Sequence, residues 1–148
     1  MAPARGRIVA VSVSGRKGER KTPVPRATLV PGHGLARDAH AGPGPRQVSL
    51  LAAESIARMK AKGVDVGPGD FAENVTVEGL ELASLKVGDR LAVGEALVEI
   101  TQIGKECHDR CAIYFQAGDC VMPREGVFAR VLRGGSVAPG DPVAKAEG

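Results

Sequence analysis

The sequence predicts a mostly β fold: a single-domain, closed or nearly closed β-barrel with one or two short helices. Twenty glycines and ten prolines among 148 residues predict many turns and few long helices. The chain is 43% hydrophobic but only 3% aromatic, so its core has to consist of valine, isoleucine, leucine and alanine. Roughly seven to nine short apolar segments would leave exposed strand edges unless the sheet closed on itself. The length fits one domain over residues 1–148.

The first third of the chain reads as short strands between turns. Arg7–Val13 is rich in β-branched residues and partly alternating, which predicts the first strand. Thr22–Pro25 is extended because its two prolines fix φ and disfavour helix in the residues before them. Ala27–Val30 is the second full strand, and a Gly- and Pro-rich loop follows over His33–Pro45. Gln47–Leu51 predicts a short buried strand.

One helix is predicted, from about Ala52 to Ala61. Lys62 and Gly63 supply the charge and the glycine that are typical of a helix C-terminus. The face of the helix that leans toward the core comprises Leu51, Ser55, Ile56 and Met59.

The remaining elements are strands joined by turns. Pro68–Asp70 predicts a turn, Leu80–Leu85 a loosely structured segment, and Gly94-Glu95 the turn of a hairpin. Pro139-Gly140 breaks the last strand. The strands predicted in this part are Ala72–Val77, Arg90–Val93, Ala96–Thr101, Val127–Leu132 and Ser136–Val143.

Charge and targeting signals exclude several classes of protein. A net charge of +3 is too small to predict general nucleic-acid binding. No apolar run approaches the ~20 residues of a membrane helix, and residues 1–6 lack the apolar core of a secretory leader. With an odd number of cysteines, three, we expect reduced thiols and a cytoplasmic protein. The sequence says nothing about the oligomeric state.

All three cysteines lie between Gly104 and Gly126, which makes this segment the first candidate for chemistry. Cys107 lies six residues past Thr101, where a strand gives way to a polar loop. Lys105 and Arg110 are close in sequence, and nearby cations stabilise the nucleophilic thiolate. The alternative is that Cys107 is half-buried and acts as a small apolar residue.

The other two thiols have more than one interpretation. Cys111 would share a face with Cys107 if the segment formed a helical turn, and could then resolve an oxidised or sulfurated partner. Packing is the alternative for Cys111 and the favoured reading for Cys120. A zinc site would use Cys107, His108, Cys111 and Cys120, but the C-x3-C then C-x8-C spacing lacks the paired C-x2-C typical of structural zinc. An iron–sulfur cluster asks for four thiolates, one more than the chain has.

A cluster of basic residues follows the first strand: Arg16, Lys17, Arg20 and Lys21. A solvated loop is the usual reading of such a run, but Gly15 and Gly18 would allow the close backbone approach of a phosphate site. Asp38 and His40 are spaced to form a hydrogen-bonded pair, which more often fixes a loop than transfers a proton. The chain carries no flavin or nucleotide motif.

Several motifs together resemble the MOSC domain family, named from the C-terminal part of molybdenum cofactor sulfurases. The similarity covers Ile8 to Val143 and extends through the cysteine segment, as in small stand-alone members. Related members often have Gly where this chain has Arg37, and Trp-His where it has Gly44-Pro45. The matching motifs are Ser14–Val24, Asp38–Gly42, Arg46–Leu51, Gly69–Val75, Leu85–Asp89 and Thr101–Cys107.

The resemblance implies a barrel-like fold and one functional cysteine, Cys107, which would also be the metal ligand. It implies sulfur carriage, with Cys111 as a helper, or the binding of a molybdopterin-type cofactor. The residues expected to bind that anionic cofactor are Arg16, Lys17, Lys21, His40, Arg46, Asn74 and Arg110.

Three hypotheses follow from the residues and the resemblance. In the first, a sulfurtransferase carries a persulfide on Cys107, with a cysteine desulfurase-like donor and the molybdenum cofactor or its precursor as partners. In the second, a binding module holds the finished cofactor with Cys107 on the metal; larger members of the family reduce N-hydroxylated compounds in this way. The third is a zinc-stapled interaction domain. The family is also associated with pyridoxal phosphate binding. No nucleic-acid or membrane partner is expected.

Overall fold

A computed structural model describes residues 5–15, 21–39, 41–63, 65–71, 73–104 and 126–146. These residues form eleven strands, one α-helix and one short 3-10 helix at Leu82–Ser84. The strands are β1 (Arg5–Val13), β2 (Thr22–Val24), β3 (Ala27–Val30), β4 (Gly34–Leu35), β5 (Val48–Ala52), β6 (Val75–Glu78), β7 (Arg90–Val93), β8 (Ala96–Ile103), β9 (Val127–Arg133), β10 (Gly135–Val137) and β11 (Pro142–Ala146). The helix, α1, spans Ala53–Ala61.

Seven strands close into a barrel, as the sequence predicts. Their order is β11, β7, β8, β9, β5, β6 and β1, and β1 pairs back onto β11. All these pairs are antiparallel except β5 with β6, which α1 connects as a parallel crossover. Strand β2 continues the sheet beyond β1, and β10, β3 and β4 form a separate three-stranded sheet.

Strand β1 closes the barrel because it has two partners along one edge. Arg7 pairs with β11 on one side and β6 on the other, and Val11 pairs likewise with β2 and β6. Strand β11 therefore leaves β1 after Arg7, and β2 takes its place from Val11 onward. A register shift between Ile8 and Ala10 lies at this exchange.

The barrel interior is aliphatic, as the composition predicts. The buried core cluster of the described residues contains valine, leucine, isoleucine and alanine, with no aromatic side chain. Phe71 and Phe128 are buried, but outside that cluster. Inward side chains alternate along each strand with side chains on the outer face, so β8 buries Ala96, Val98 and Ile100.

Helix α1 confirms the predicted helix and its core-facing side. Ser55, Ile56 and Met59 are buried. The helix begins one residue later than expected, since Ala52 still pairs with Val77 at the end of β5. In the described part of the chain, no helix has the length and apolar character to span a bilayer.

Three local predictions differ from the structure. The loop predicted over His33–Pro45 contains β4, a two-residue strand held by β3. The segment predicted as one broken strand forms β10 and β11, which belong to different sheets. The strand predicted from Ala72 begins only at Val75, because Glu73 closes the preceding loop through its side chain.

Candidate functional site

A row of side chains crosses the outer face of five neighbouring strands. Gln102 pairs with Phe128, and Phe128 with Ser49. Asn74, the residue before β6, donates its backbone N–H to the Ser49 carbonyl at 3.0 Å, and Ser12 donates to the Asn74 carbonyl at 2.8 Å. At about 4.8 Å per strand, this outer-face row spans roughly 19 Å. Its sequence neighbours in the core are Val11, Leu50, Val75 and Val127.

A buried ion pair lies at the β1 end of the row. Lys21 Nζ is 2.7 Å from Asp38 Oδ1, and both side chains are fully buried. The Ser14 backbone N–H also donates to Asp38 Oδ1, at 3.0 Å, and Lys21 Nζ donates to Ser14 Oγ at 3.2 Å. Burial opposes ionisation of Asp38, but hydrogen bonds from Lys21, Asn74 and Ser14 outweigh it and hold its pKa below the ordinary value. The Asp38 carboxylate is therefore ionised and already partnered.

Asn74 joins three strands to that ion pair. Its Oδ1 accepts from the Ser49 N–H at 3.0 Å and the Ser49 hydroxyl at 3.2 Å. Its Nδ2 donates to the Ser12 carbonyl at 3.2 Å, and its side chain also bonds to Asp38. The residue is 1% exposed. Asn74 thus cross-links β1, β5 and β6, and its expected contact with a cofactor remains a prediction.

A second buried carboxylate, Glu73, organises the loop that packs against Lys21. It accepts from Gly69 N–H at 3.0 Å, Phe71 N–H at 3.3 Å and the Thr76 hydroxyl at 2.7 Å. Burial raises the pKa of Glu73 above its ordinary value, against these hydrogen bonds. Gly69 has φ +90°, and a Cβ there would lie 2.2 Å from the Lys21 carbonyl oxygen. Glu73 lies in the Gly69–Val75 motif, and its sequence context predicts no role for it.

Arg46 lies at the opposite end of the row with its guanidinium fixed in orientation. The guanidinium carbon lies 5.2 Å from the centre of the Phe128 ring, and Nε donates to Gln102 Oε1 at 3.1 Å. The Thr101 hydroxyl donates to the Pro45 carbonyl beside it. Arg46 is exposed, and its two Nη groups have no partner among the described residues. The loop before β5 is thereby fastened to the end of β8.

The cysteine segment leaves the barrel at this same end. Ile103 pairs with Val127, and the Gly104 N–H donates to the Gly126 carbonyl at 2.6 Å. Gln102, which holds Arg46, also donates from Nε2 to the Gly104 carbonyl at 2.8 Å. Gly104 and Gly126, which flank the cysteine segment, therefore lie at the end of the barrel where Gln102 holds Arg46.

Of the residues predicted from sequence, the structure describes three in place. Lys21 and Asn74 meet at Asp38, whereas Arg46 lies against Phe128 of β9, a strand that is two strands, or about 10 Å, from Asn74 across the sheet. Asp38 bonds to Lys21 and Ser14, and its predicted pairing with His40 is not tested. The predicted residues outside the described part are Arg16, Lys17, His40, Cys107, Arg110, Cys111 and Cys120.

Arg37 has a backbone conformation that is uncommon for a residue with a side chain. Arg37 has φ +69°, and among the described residues no other non-glycine residue has positive φ. Glycine adopts this region at no steric cost, whereas a side chain is strained there. Arg37 therefore holds a conformation that glycine would adopt without this strain.

Two further observations bear on other sites. A cleft of about 310 Å³ lies between α1 and the segment after β6, and none of the predicted site residues lines it. Within the described ranges, His, Cys, Asp and Glu form no cluster of three or more suited to a metal ion. A zinc site built from the cysteines would fall outside those ranges.

The chain is similar to proteins of one family and one fold. A family model described as "MOSC domain" matches residues 36–144. The crystal structure of the YuaD protein from Bacillus subtilis superposes with a TM-score of 0.79 at 19% identity, covering 96% of both chains. YiiM from Geobacillus stearothermophilus gives 0.71 at 23% identity, over 96% of this chain and 75% of that one. YiiM from Escherichia coli gives 0.70 at 19% identity, over 99% and 71%. No curated protein matched the chain.

Proposed function

Since the chain belongs to the MOSC domain family, we propose that it carries sulfur as a persulfide on Cys107 in molybdenum cofactor metabolism. The family is associated with proteins related to that cofactor. The observation that carries the proposal is the place where the cysteine segment leaves the barrel. It leaves beside Arg46, whose exposed guanidinium is oriented by Phe128 and Gln102.

The sulfur transfer needs only a thiolate and a donor persulfide. The Cys107 thiolate attacks the terminal sulfur of the donor, a new S–S bond forms to Cys107, and the S–S bond of the donor breaks. The donor leaves as a thiolate, and the transferred terminal sulfur keeps its proton, so atoms and electrons balance. Lys105 and Arg110, near Cys107 in sequence, favour the thiolate form. Delivery reverses these roles, with a nucleophile of the acceptor attacking and the Cys107 thiolate leaving.

The anionic partner would be bound by arginine and lysine side chains. Arg46 offers two Nη donors in a fixed plane, a geometry that matches a phosphate. Arg16 and Lys17 belong to the connection between β1 and β2, whose flanking residues lie at the other end of the outer-face row. The oriented guanidinium of Arg46 fits the phosphate of a molybdopterin-type cofactor, and the connection at the other end of the row would contact a different part of that ligand. The bound cofactor would supply the centre that accepts sulfur.

The same orientation of Arg46 favours a second candidate, a module that binds the finished cofactor with Cys107 on the metal. In that case Cys107 would carry no persulfide sulfur. Phosphate recognition by Arg46 is common to both candidates, so the state of Cys107 distinguishes them.

Mass spectrometry tests the sulfur carrier directly. After incubation with a cysteine desulfurase and cysteine, we expect the peptide that contains Cys107 to gain the mass of one sulfur atom, and a reducing agent to remove it. Cys107→Ser should gain none, while Cys120→Ser behaves as wild type. Sulfur on Cys120 instead of Cys107 would refute the assignment. Molybdenum retained after expression in a cofactor-competent host, lost in Cys107→Ser and accompanied by no persulfide, would favour the binding module.

A further inference from the structure

The Gln102 amide bonds two groups of opposite kind at the end of β8. Its Oε1 accepts from Arg46 Nε at 3.1 Å, and its Nε2 donates to the Gly104 carbonyl at 2.8 Å. A guanidinium only donates and a carbonyl only accepts, so the two partners together fix the orientation of the amide. A carboxylate at position 102 could accept from Arg46 but could not donate to Gly104. A neutral amide therefore satisfies both partners and leaves the charge of Arg46 in place.

Gly104 is the point at which the cysteine segment joins the barrel. Its N–H donates to the Gly126 carbonyl at 2.6 Å, one step beyond the last pair of β8 with β9. We call Gly104 and Gly126 the segment base. Gly104 is buried, so both of its backbone polar groups need partners. Gly126 binds the N–H and Gln102 binds the carbonyl, which joins the segment base to Arg46 through one amide side chain.

Arg46 has two other supports, which do not involve Gln102. Its guanidinium carbon lies 5.2 Å from the centre of the Phe128 ring, and the Thr101 hydroxyl donates to the carbonyl of the preceding residue, Pro45. Arg46 should therefore stay near its place when the amide of Gln102 is removed. What the amide adds is the connection between the guanidinium and the segment base.

One side chain makes both contacts, so its conformational entropy is lost only once. Glutamine is among the side chains that lose most rotamer entropy when they are fixed. A ligand that immobilises the Arg46 guanidinium also holds Gln102 Oε1, and the bond from Nε2 to Gly104 then forms at a smaller entropic cost. By linkage, an ordered segment base favours the ligand by the same factor.

We propose that Gln102 couples anion binding at Arg46 to closure of the segment base. The proposal rests on the anion binding proposed above and adds its regulation: when the phosphate of the cofactor occupies Arg46, the contact of Gly104 with Gly126 is strengthened. The segment that carries Cys107 is thereby held at its base when the acceptor of sulfur is bound. Gln102 is a positioning residue, since it acts through Arg46 and Gly104 and needs no contact of its own with the ligand.

Hydrogen exchange of the Gly104 amide, followed by NMR, measures the coupling independently of any activity. In the wild-type protein, we expect saturating inorganic pyrophosphate to slow this exchange by at least about fivefold, the lower end of the range for coupled sites. The Gly94 amide, which donates to the Pro142 carbonyl at 3.0 Å beside the turn between β7 and β8, should exchange at an unchanged rate. In Gln102→Met, which has a side chain of similar length and no amide, saturating pyrophosphate should no longer slow exchange at Gly104.

Glu99→Gln is the matched control on the same strand. The Glu99 carboxylate accepts from Arg130, and none of its bonds among the described residues reaches Arg46 or Gly104. The pyrophosphate-dependent slowing should persist in this variant. If Gln102→Met does not fold, Gln102→Glu provides the same test, since a carboxylate accepts from Arg46 but cannot donate to the Gly104 carbonyl.

A double-mutant cycle shows whether Gln102 acts through Arg46. Calorimetry gives the pyrophosphate affinity of Gln102→Met, of Arg46→Gln and of the double variant. We expect Gln102→Met alone to lose about fivefold in affinity, by the reciprocity of coupled sites. On the Arg46→Gln background the further loss should stay below about twofold, because the partner of the amide is already gone. A residue that only stabilises the fold would lower the affinity by the same factor in both backgrounds.

The outcomes separate this coupling from the anion site itself. Slowing at Gly104 that depends on Gln102, with non-additive losses in the cycle, supports the coupling. Wild-type protein that binds pyrophosphate without slower exchange at Gly104, or the same slowing in Gln102→Met, overturns the coupling and leaves the anion site standing. Additive losses overturn the coupling as well. Wild-type protein that binds no pyrophosphate overturns the anion site and the coupling together, and calorimetry of the wild type alone identifies that case.

Discussion

The guanidinium of Arg46 differs in its surroundings from those of other arginines on the outer face of the barrel. Arg130 lies 2.7 Å from a Glu99 oxygen and Arg90 lies 3.6 Å from the other, so both face a carboxylate. Arg46 instead has an amide and an aromatic ring as neighbours, which orient it without neutralising its charge. Among the described residues, no carboxylate pairs with Arg46 that an incoming anion would have to displace.

We expect Arg46→Gln to weaken pyrophosphate binding by about 1.5–3 kcal/mol, the range for a hydrogen bond to a charged group. Arg130→Gln removes the same charge from the same outer face and serves as the control, with an expected loss below about 0.5 kcal/mol because Arg130 is already paired. Calorimetric titration of both variants measures the difference. Equal losses would mean that net charge, rather than the oriented guanidinium, binds the anion.

Arg37 carries a side chain at a backbone conformation that favours glycine. Its φ of +69° is one that glycine adopts at no steric cost and that strains a side chain such as arginine, so Arg37→Gly should relieve strain. The substitution also frees the unfolded chain, which offsets part of the gain, and we expect a net stabilisation of about 0.5–1 kcal/mol in urea unfolding. Arg26→Gly, at an exposed position without positive φ, should instead lose a similar amount. Stabilisation by both substitutions, or by neither, would contradict the strain argument.

At the scale of elements, the Glu73 carboxylate holds Gly69 and Phe71 of the preceding loop, although burial disfavours its charged form. The pKa of Glu73 is raised in the folded protein. The protonated form is therefore favoured by folding, and this contribution is fully present below about pH 4.3, the unfolded value. It is lost as the pH rises through the raised pKa of the folded state.

Glu73→Gln removes that titration. We expect the free energy of unfolding of the variant, relative to wild type, to rise with pH across the window above about pH 4.3. Urea unfolding at a series of pH values measures it. Asp38→Asn is the mirror control, because the lowered pKa of Asp38 makes the wild type gain stability as the pH rises toward and past about 3.9. A pH-independent difference for Glu73→Gln would show that its carboxyl does not titrate in this window.

Sequence patterns predicted the elements whose signals are local. The hairpin of β7 and β8 matches across the predicted turn, with Val93 paired to Ala96, because alternation and turn chemistry are both short-range. Strands β4 and β10 have two and three residues, too few for any periodicity, and exist because β3 pairs with both. The division between β10 and β11 was visible at Pro139-Gly140, but their assignment to different sheets depends on partners far along the chain.

The site residues could likewise be predicted from local motifs, whereas the long-range contacts among them could not. Arg46, Asn74 and Lys21 were named from motifs, since residue type and spacing are readable in sequence. The partnership of Lys21 with Asp38 was not, because the two are 17 residues apart on a loop and a strand end without a common period. Glu73 gave no signal beyond its place in a motif, as its function is to accept hydrogen bonds that only the folded loop presents.

At the scale of the whole molecule, the barrel is closed by the pairing of β11 with β1. Strand β11 pairs with β7 from Val143 to Ala146 and with β1 from Pro142 to Ala144. Closure was predicted because the apolar strands would otherwise leave exposed edges, but the sequence could not say that β1 and β11 are the strands that pair to close the ring. The aliphatic core depends on this closure, since Val143 is completely buried and lies in the same cluster as Leu91 and Val93.

A chain that ends at Asp141 should therefore lose cooperative folding. Removal of β11 opens the edges of β1 and β7 and exposes the core between them. This should lower the free energy of unfolding by several kcal/mol, compared with the ~5–15 kcal/mol of a typical domain. We expect a broad or absent urea transition and a tendency to aggregate through the two open edges. A chain that ends at Ala146 keeps every pair of β11 and should unfold like the full-length protein. If the chain that ends at Asp141 showed the same urea transition as the full-length protein, the barrel would have to close between β1 and β7 without β11. The pairing of β11 would then not be the contact that closes the barrel.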